Sequence, residues 1–257
     1  MNLPDDVSRI AELIDQTLLR PESTRSDIEQ LCAEGREYRF WAICVNPVWV
    51  PLCRAALAGS GVRVASVVAF PFGAGEPESK AAEAALAVRE GADEADMVAA
   101  IGHIKSGDWG HVATEIRAVV QAARGRPVKV IIESAVLDPE EITRASVIAA
   151  ESGAAFVKTS TGFHHAGGAT EAAVRRMREA VGDGVGVKAS GGIRDCAAAL
   201  RMFAAGASRV GTSSGVAIAQ CLGADPTPLR ELVALPALHA TRCTTAGVAA
   251  SGGAVRY

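Results

Sequence analysis

Two lysines stand thirty positions apart, each closing a short apolar run and opening a small-residue loop: Phe156-Val157-Lys158-Thr159-Ser160-Thr161-Gly162 and Gly186-Val187-Lys188-Ala189-Ser190-Gly191-Gly192. Runs such as Ala154 to Val157 have the pattern of buried parallel strands, where an ammonium is costly unless it is paired or neutral. A buried lysine gives up its proton readily, and the neutral amine attacks carbonyl carbon to form a Schiff base. A Lys–Asp ion pair filling a protein interior would account for one such lysine, but not for two that both precede Ser/Thr/Gly loops. At ~6 Å and an effective dielectric of ~20, two ammonium groups repel by roughly 3 kcal/mol, about two pKa units. Repulsion should therefore push the better-desolvated lysine toward neutrality while the other stays charged.

The elements that must position these lysines follow one repeating grammar: an Ala-rich amphipathic stretch, a Gly with a small or β-branched residue, then a short apolar run. It occurs at Gly61-Val62 before Val64–Phe70, Gly91-Ala92 before Glu94–Val98, Gly153-Ala154 before Ala155–Lys158, Gly184-Val185 before Gly186–Lys188, and Gly206-Ala207 before Arg209–Gly211. Glycine suits the left-handed residue that ends a helix, and the run behind it reads as a buried strand. Leu13–Thr17, Trp41–Val45 and Val128–Glu133 bring the strands to eight. Asp138-Pro139-Glu140-Glu141 marks a helix start, with an N-cap, a first-turn proline and a capping-box acid. Eight strands alternating with helices, with no G-x-G-x-x-G after the first, predict an α/β fold: a single (β/α)8 TIM barrel over residues 1–240. A short N-terminal helix precedes it. The Ala/Gly-rich stretch 241–257 lacks a periodic apolar face and reads as a flexible tail.

Catalytic groups of such barrels sit at the carboxyl ends of the strands. Taken in order, those ends offer Asp15 and Thr17, Cys44, Asp96, Glu133, Lys158, Lys188 and Gly211-Thr212-Ser213-Ser214. Three loops then form an anion pocket: Thr161-Gly162-Phe163, Gly191-Gly192-Ile193-Arg194, and Gly211 to Ser214. Glycines let backbone N–H groups approach phosphate oxygens, and the helices that follow present their positive ends. Cys44 reads as a core thiol, since nothing cationic adjoins it in sequence. Glu133 is either a lysine partner or a plain strand-end acid. His164 and His165 lack a neighbouring carboxylate in sequence and read as exposed loop residues rather than metal ligands.

The whole chain narrows the class further. It has 257 residues, 49% hydrophobic and 21% charged, with a net charge of −3 and basic residues spread out. That excludes a nucleic-acid footprint. The acidic start, Met1-Asn2-Leu3-Pro4-Asp5-Asp6, is no signal peptide, and no apolar run reaches membrane-spanning length. Six cysteines without metal or C-x-x-C spacing read as reduced core thiols of a cytoplasmic protein.

Lys158-Thr-Ser-Thr-Gly, Val187-Lys188-Ala-Ser-Gly-Gly-Ile-Arg194, Arg209-Val-Gly-Thr-Ser-Ser214, Asp93-Glu94-Ala-Asp96-Met-Val and Ile14-Asp15-Gln-Thr17-Leu-Leu together resemble the deoxyribose-phosphate aldolase family, from about Leu13 to Gln220. The resemblance implies a barrel and a metal-free, cofactor-free class I aldolase. Such an enzyme interconverts 2-deoxy-D-ribose 5-phosphate with D-glyceraldehyde 3-phosphate and acetaldehyde. It further implies Lys158 as the Schiff-base lysine, Lys188 as the lysine that lowers its pKa, and Asp96 as the acid that moves protons through a water. Gly162, Gly191, Gly192, Ser213 and Ser214 match phosphate-loop positions. Asp15 and Thr17 match polar support near the second lysine and the substrate hydroxyl. A homodimer and a relay by the terminal Tyr257 are implied by the same likeness. Gln16 stands where many members carry His, Ala99-Ala100 where Ile-Asn is usual, and Ala135 where Cys is frequent. Two rival readings are another Schiff-base barrel acting on a different aldehyde and a non-catalytic phosphosugar-binding barrel.

Overall fold

Helices give way to strands at glycines for a steric reason. Gly91 and Gly206 adopt φ of 112° and 110°, and a Cβ at either would press against the side chain of Arg54 or Arg178 at 2.8 or 2.9 Å. In the seventh unit the left-handed residue is Gly182 rather than Gly184.

The computed structural model describes residues 7–223 and 227–234. Its strands are β1 (Ile14–Leu18), β2 (Ala42–Val45), β3 (Arg63–Val68), β4 (Glu94–Val98), β5 (Val128–Ile131), β6 (Phe156–Lys158), β7 (Gly186–Ser190) and β8 (Arg209–Thr212). Each pairs in parallel with the next and β8 pairs with β1, so the barrel closes in chain order. Among the described residues, α1 (Arg25–Tyr38), α2 (Val50–Ala56), α3 (Pro77–Glu90), α4 (Ile101–Lys105), α5 (Trp109–Ala122), α6 (Pro139–Glu151), α7 (Glu171–Val181), α8 (Cys196–Ala204), α9 (Gly215–Gly223) and α10 (Leu229–Ala234) are the α-helices. The short N-terminal helix is a 3-10 turn over Val7–Leu13. The expected boundary at residue 240 and the stretch 241–257 lie outside the described residues.

The (β/α)8 barrel anticipated from the glycine grammar is the fold observed. Several element ends differ, each for a local reason. The third strand stops at Val68, before the expected Phe70, because Ala69 turns left-handed (φ 52°). The fifth stops at Ile131, with Glu133 in a left-handed bend (φ 53°), so this acid heads a loop rather than ending the strand. The seventh and eighth run on to Ser190 and Thr212, carrying the first loop residues into the barrel rim. After β4 two helices follow in place of one. At the start of α6, Asp138 accepts from the N–H groups of Glu140 and Glu141, and the Glu141 carboxylate accepts from the Asp138 N–H.

The expectation that all cysteines are reduced is corrected: Cys196 and Cys221 form a disulfide between α8 and α9. Helix-to-helix packing brings together two residues 25 positions apart whose pairing no sequence spacing announced. Cys32, Cys44 and Cys53 are free and buried, and Cys243 lies outside the described residues.

Outside the barrel, α3 and α5 share a buried ion pair, Lys80 Nζ to Glu115 Oε2 at 2.5 Å. The pair also closes the end of β4: Lys80 donates to the Val98 carbonyl at 3.0 Å, and the Ala100 N–H donates to Glu115 Oε1 at 2.7 Å. Removing one member strands the other charge in an apolar layer, whereas removing both does not. Lys80→Met should lower unfolding free energy by roughly 3–5 kcal/mol, and Lys80→Met/Glu115→Leu should recover part of that loss, as read by urea denaturation.

Candidate active site

Alternation along the strands aims Asp15 and Thr17 of β1, Cys44 of β2, Glu94 and Asp96 of β4, Lys129 of β5, Lys158 of β6, Lys188 of β7 and Arg209 of β8 into the barrel. On the β2–β3 side the interior is small and apolar, built by Leu19, Ala42, Cys44, Ala65 and Val67. The opposite side is ionic. Asp96 Oδ2 accepts from Lys158 Nζ at 2.8 Å and from Lys188 Nζ at 2.7 Å, while its Oδ1 accepts from Lys129 Nζ at 2.6 Å. Lys188 also reaches Asp15 Oδ2 at 2.5 Å. Arg209 binds Asp15 Oδ1 at 2.9 Å, and Lys129 binds Glu94 Oε2 at 2.5 Å. Arg209 lies over the Trp41 ring, whose indole N–H donates to Glu94.

Four cations thus face three carboxylates in a closed interior. The imbalance falls on Lys158. Burial lowers its pKa; Asp96 pulls it back up and Lys188 pushes it down again, leaving it below the ordinary lysine value. Burial acts the same way on Lys188, but Asp15 and Asp96 together hold it above the ordinary value. Lys129, also desolvated, is raised further by Asp96, Asp15 and Glu94. Burial would raise Asp96 and Asp15, yet their lysine neighbours, and for Asp15 also Arg209, hold both below the usual carboxylate range. The repulsion between Lys158 and Lys188 inferred from sequence is present, but desolvation is the leading cause of the Lys158 shift. Burial, with Asp96 beside it, also raises the Cys44 thiol, although three lysines in space oppose this.

Above this floor opens a cleft of about 290 Å³. Of the residues anticipated to bind substrate, Thr17, Thr161, Gly162, Gly191, Gly192, Arg194, Gly211 and Ser213 line it, together with Lys158. Asp15, Asp96 and Lys188 do not line it; they are buried beneath. Ser214 lines an adjoining cleft with Gln16, Arg20 and Arg194. Tyr257 lies outside the described residues. His164 and His165, read as bystanders, flank the cleft with stacked rings.

The glycines act by close backbone approach. A Cβ on Gly168 would lie 2.2 Å from the Gly191 carbonyl oxygen, so the β6 and β7 loops pack main chain on main chain. Gly211, which lines the cleft, also leaves room beneath it: a Cβ there would meet Lys188 Cε at 2.8 Å. Its missing side chain is the channel through which Lys188 reaches Asp96. Glu133 contacts no lysine; it accepts from the Thr161 hydroxyl at 2.6 Å and shapes the β6 loop. Gln16 bridges Glu34 and the Gly215 N–H at the start of α9. Sequence reading missed Lys129, Glu94 and Arg209, although their inward parity with Glu133, Asp96 and Gly211 was the available signal.

Comparison with known proteins places this geometry. Residues 9–221 match the DeoC/LacD family aldolase model. The chain is 52% identical to deoxyribose-phosphate aldolase 1 of Bacillus licheniformis, over 84% of its own length and 97% of the relative's. It is 50% identical to deoxyribose-phosphate aldolase of Thermotoga maritima, over 83% and 86%. Among solved structures, the tetrameric deoxyribose phosphate aldolase of Aeropyrum pernix superposes with a TM-score of 0.79 at 33% identity, over 85% of this chain and 93% of that one. The chain belongs to the DeoC/LacD family of aldolases.

Because Lys188 and Lys158 share one Asp96 oxygen, removing the Lys188 charge acts twice in one direction. It deletes the repulsion and leaves Asp96 to stabilise the protonated Lys158 more fully. Both raise the Lys158 pKa, and imine formation needs the neutral amine. Lys188→Met should move the acid limb of borohydride trapping with acetaldehyde upward by about one to two pH units.

Proposed function

We propose that this member of the DeoC/LacD family reversibly cleaves 2-deoxy-D-ribose 5-phosphate to D-glyceraldehyde 3-phosphate and acetaldehyde through a Schiff base on Lys158. One observation carries the assignment of the nucleophile. Of the three lysines on Asp96, only Lys158 opens to the cleft and only Lys158 is shifted toward the neutral amine.

Attack of the Lys158 amine on the aldehyde carbon of the open-chain sugar, with loss of water, gives a protonated imine. In cleavage the C3 hydroxyl loses its proton, the C2–C3 bond breaks, and its electron pair enters the imine to form a neutral enamine. Glyceraldehyde 3-phosphate departs. The enamine carbon then takes a proton and water releases acetaldehyde. Asp96, reached through a water, exchanges the proton at the carbon beside the imine. Its depressed basicity is offset in that step, because the enamine is neutral and one of its three cationic neighbours disappears as the proton leaves carbon. Burial and the field of Lys188, itself held charged by Asp15 and Asp96, together lower the Lys158 pKa. Main-chain N–H groups of the Gly162, Gly191 and Gly192 loops, with Ser213, Ser214 and Arg194, receive the phosphate. Thr17 faces the sugar hydroxyls, and Asp15 acts through Lys188. This reading calls on no resident metal or cofactor. The substrates are small phosphorylated sugars and aldehydes. A cytoplasmic homodimer completes it, and among the described residues no helix is long and apolar enough to cross a membrane.

Deoxyribose 5-phosphate cleavage, followed through coupled reduction of the released triose phosphate, should be robust in the parent and lost in Lys158→Ala along with the borohydride adduct. Mass-spectrometric mapping of the adduct to Lys188 would reverse the assignment. Asp96→Asn should still form the imine yet slow exchange of acetaldehyde methyl protons with deuterated water by at least ~100-fold; parental exchange would remove Asp96 from the proton path.

A further inference from the structure

The corner between α4 and α5 gathers three metal-ligating side chains that the aldolase chemistry leaves unused. His103 stands on α4, Asp108 caps α5, and His111 sits in the first turn of α5. One donor atom from each, two imidazole nitrogens and a carboxylate oxygen, lies within 4.8 Å of the other two. The main chain holds them there. Gly107 turns the chain back (φ 71°), the Asp108 N–H donates to the His103 carbonyl at 2.9 Å, and Asp108 Oδ1 accepts from the His111 N–H at 3.2 Å. Asp108 Oδ2 lies 3.0 Å from His103 Nδ1, and the two imidazoles stack with centroids 3.7 Å apart and planes 5° from parallel.

We propose that this corner binds one borderline divalent cation, zinc being the probe of choice, through His103, Asp108 and His111 with water completing the shell. Two imidazoles and one carboxylate suit zinc, nickel or copper, whereas magnesium and calcium favour all-oxygen sets. Donors bound at ~2.0–2.2 Å around a tetrahedral cation stand ~3.4 Å apart, so these three need to close by at most ~1.4 Å. The rings must slide out of their stack to aim at one point, a rotamer change open to half-buried side chains at a surface corner. Little chain entropy is lost, since all three donors lie within residues 103–111 of a corner already pinned by its own hydrogen bonds. Asp108 Oδ1 keeps its helix cap while Oδ2 ligates. His164 and His165 make a useful contrast, since they stack in the same way but belong to no such three-donor group among the described residues. None of the three donors lines the catalytic cleft. The bound cation therefore acts as a clasp on the α4–α5 corner and stabilises the fold by mass action.

The test is isothermal titration of the full-length, tag-free chain with zinc chloride, paired with melting curves in zinc and in chelator. One equivalent should bind and raise the melting temperature. His103→Gln/His111→Gln should weaken that binding at least ~10-fold. Asp108→Asn should weaken it too while leaving the metal-free melting temperature unchanged, because asparagine caps a helix as aspartate does. His164→Gln/His165→Gln should leave the titration unaltered, and the His103, His111 and Asp108 variants should cleave substrate at the parental rate without zinc. No binding up to about 100 μM zinc, binding indifferent to His103 and His111, or binding that disappears with His164 and His165 would each overturn the proposal.

Discussion

A charge inside a closed barrel has no water to turn to, and everything at this site follows from how the interior settles its charges. Asp96 is the shared anion. Its two oxygens hold three ammonium groups, and Asp15 and Glu94 neutralise what remains around Lys188, Lys129 and Arg209. Three carboxylates against four cations leaves one positive charge in excess. The least costly remedy in a poorly polarisable medium is for one amine to shed its proton. The amine whose pKa falls is the one with a single carboxylate contact and an opening to the cleft. Lys188 has two such contacts and Lys129 has three, counting the longer approach to Asp15 at 3.4 Å. The lysine proposed as the nucleophile is thus singled out by the count of its anionic neighbours as much as by its place at a strand end.

That arrangement makes demands on residues with no chemistry of their own. Lys188 can stretch to Asp96 because Gly211 has no side chain. Gly186 yields its space to the Phe156 ring, which would lie 2.2 Å from a Cβ, and that ring helps cover Arg209 at the barrel floor. The parallel register sets Lys158 directly beside Lys188, and Asp96 beside Lys129. A slip of one residue would turn these side chains out of the barrel.

The architecture was legible because its signals are local. A left-handed glycine, an apolar run and a capping box each report on a few neighbours, and their repetition admits one closed topology. Lys158, Lys188 and Asp96 were legible for a like reason: each is a charged residue in a short apolar run, Lys158 at the strand's end and the other two at the middle of theirs. Lys129 was not, although the register sets it beside Asp96, because the fifth strand was expected to run on to Glu133 and the search looked for its functional group there. Arg209 and Glu94 were hidden likewise at strand beginnings. The Cys196–Cys221 bond depends on how α8 meets α9, which is a tertiary fact without a sequence period. The leading cause of the Lys158 shift was also misjudged, for repulsion can be estimated from two charges whereas desolvation needs the surrounding atoms.

Desolvation gives the apolar half of the barrel a part in the chemistry. Ala42, Cys44, Ala65 and Val67 are small, so they leave the barrel narrow without filling the space above Asp96, and Leu19 and Phe163 face the cleft beside Lys158. Phe163 is held edge-on against Phe70, immediately before the cis proline that ends the β3 turn. A wholly ionic interior would stabilise the protonated amine, as it does for Lys129. A wholly apolar one would leave Asp96 uncompensated. Lys158 stands at the seam between the two halves, close enough to one carboxylate to be oriented by it and dry enough for its pKa to fall below the ordinary lysine value. A group bound at Lys158 would meet an apolar wall on one side and the Asp96 carboxylate on the other, the asymmetry on which the proposed proton exchange through Asp96 rests.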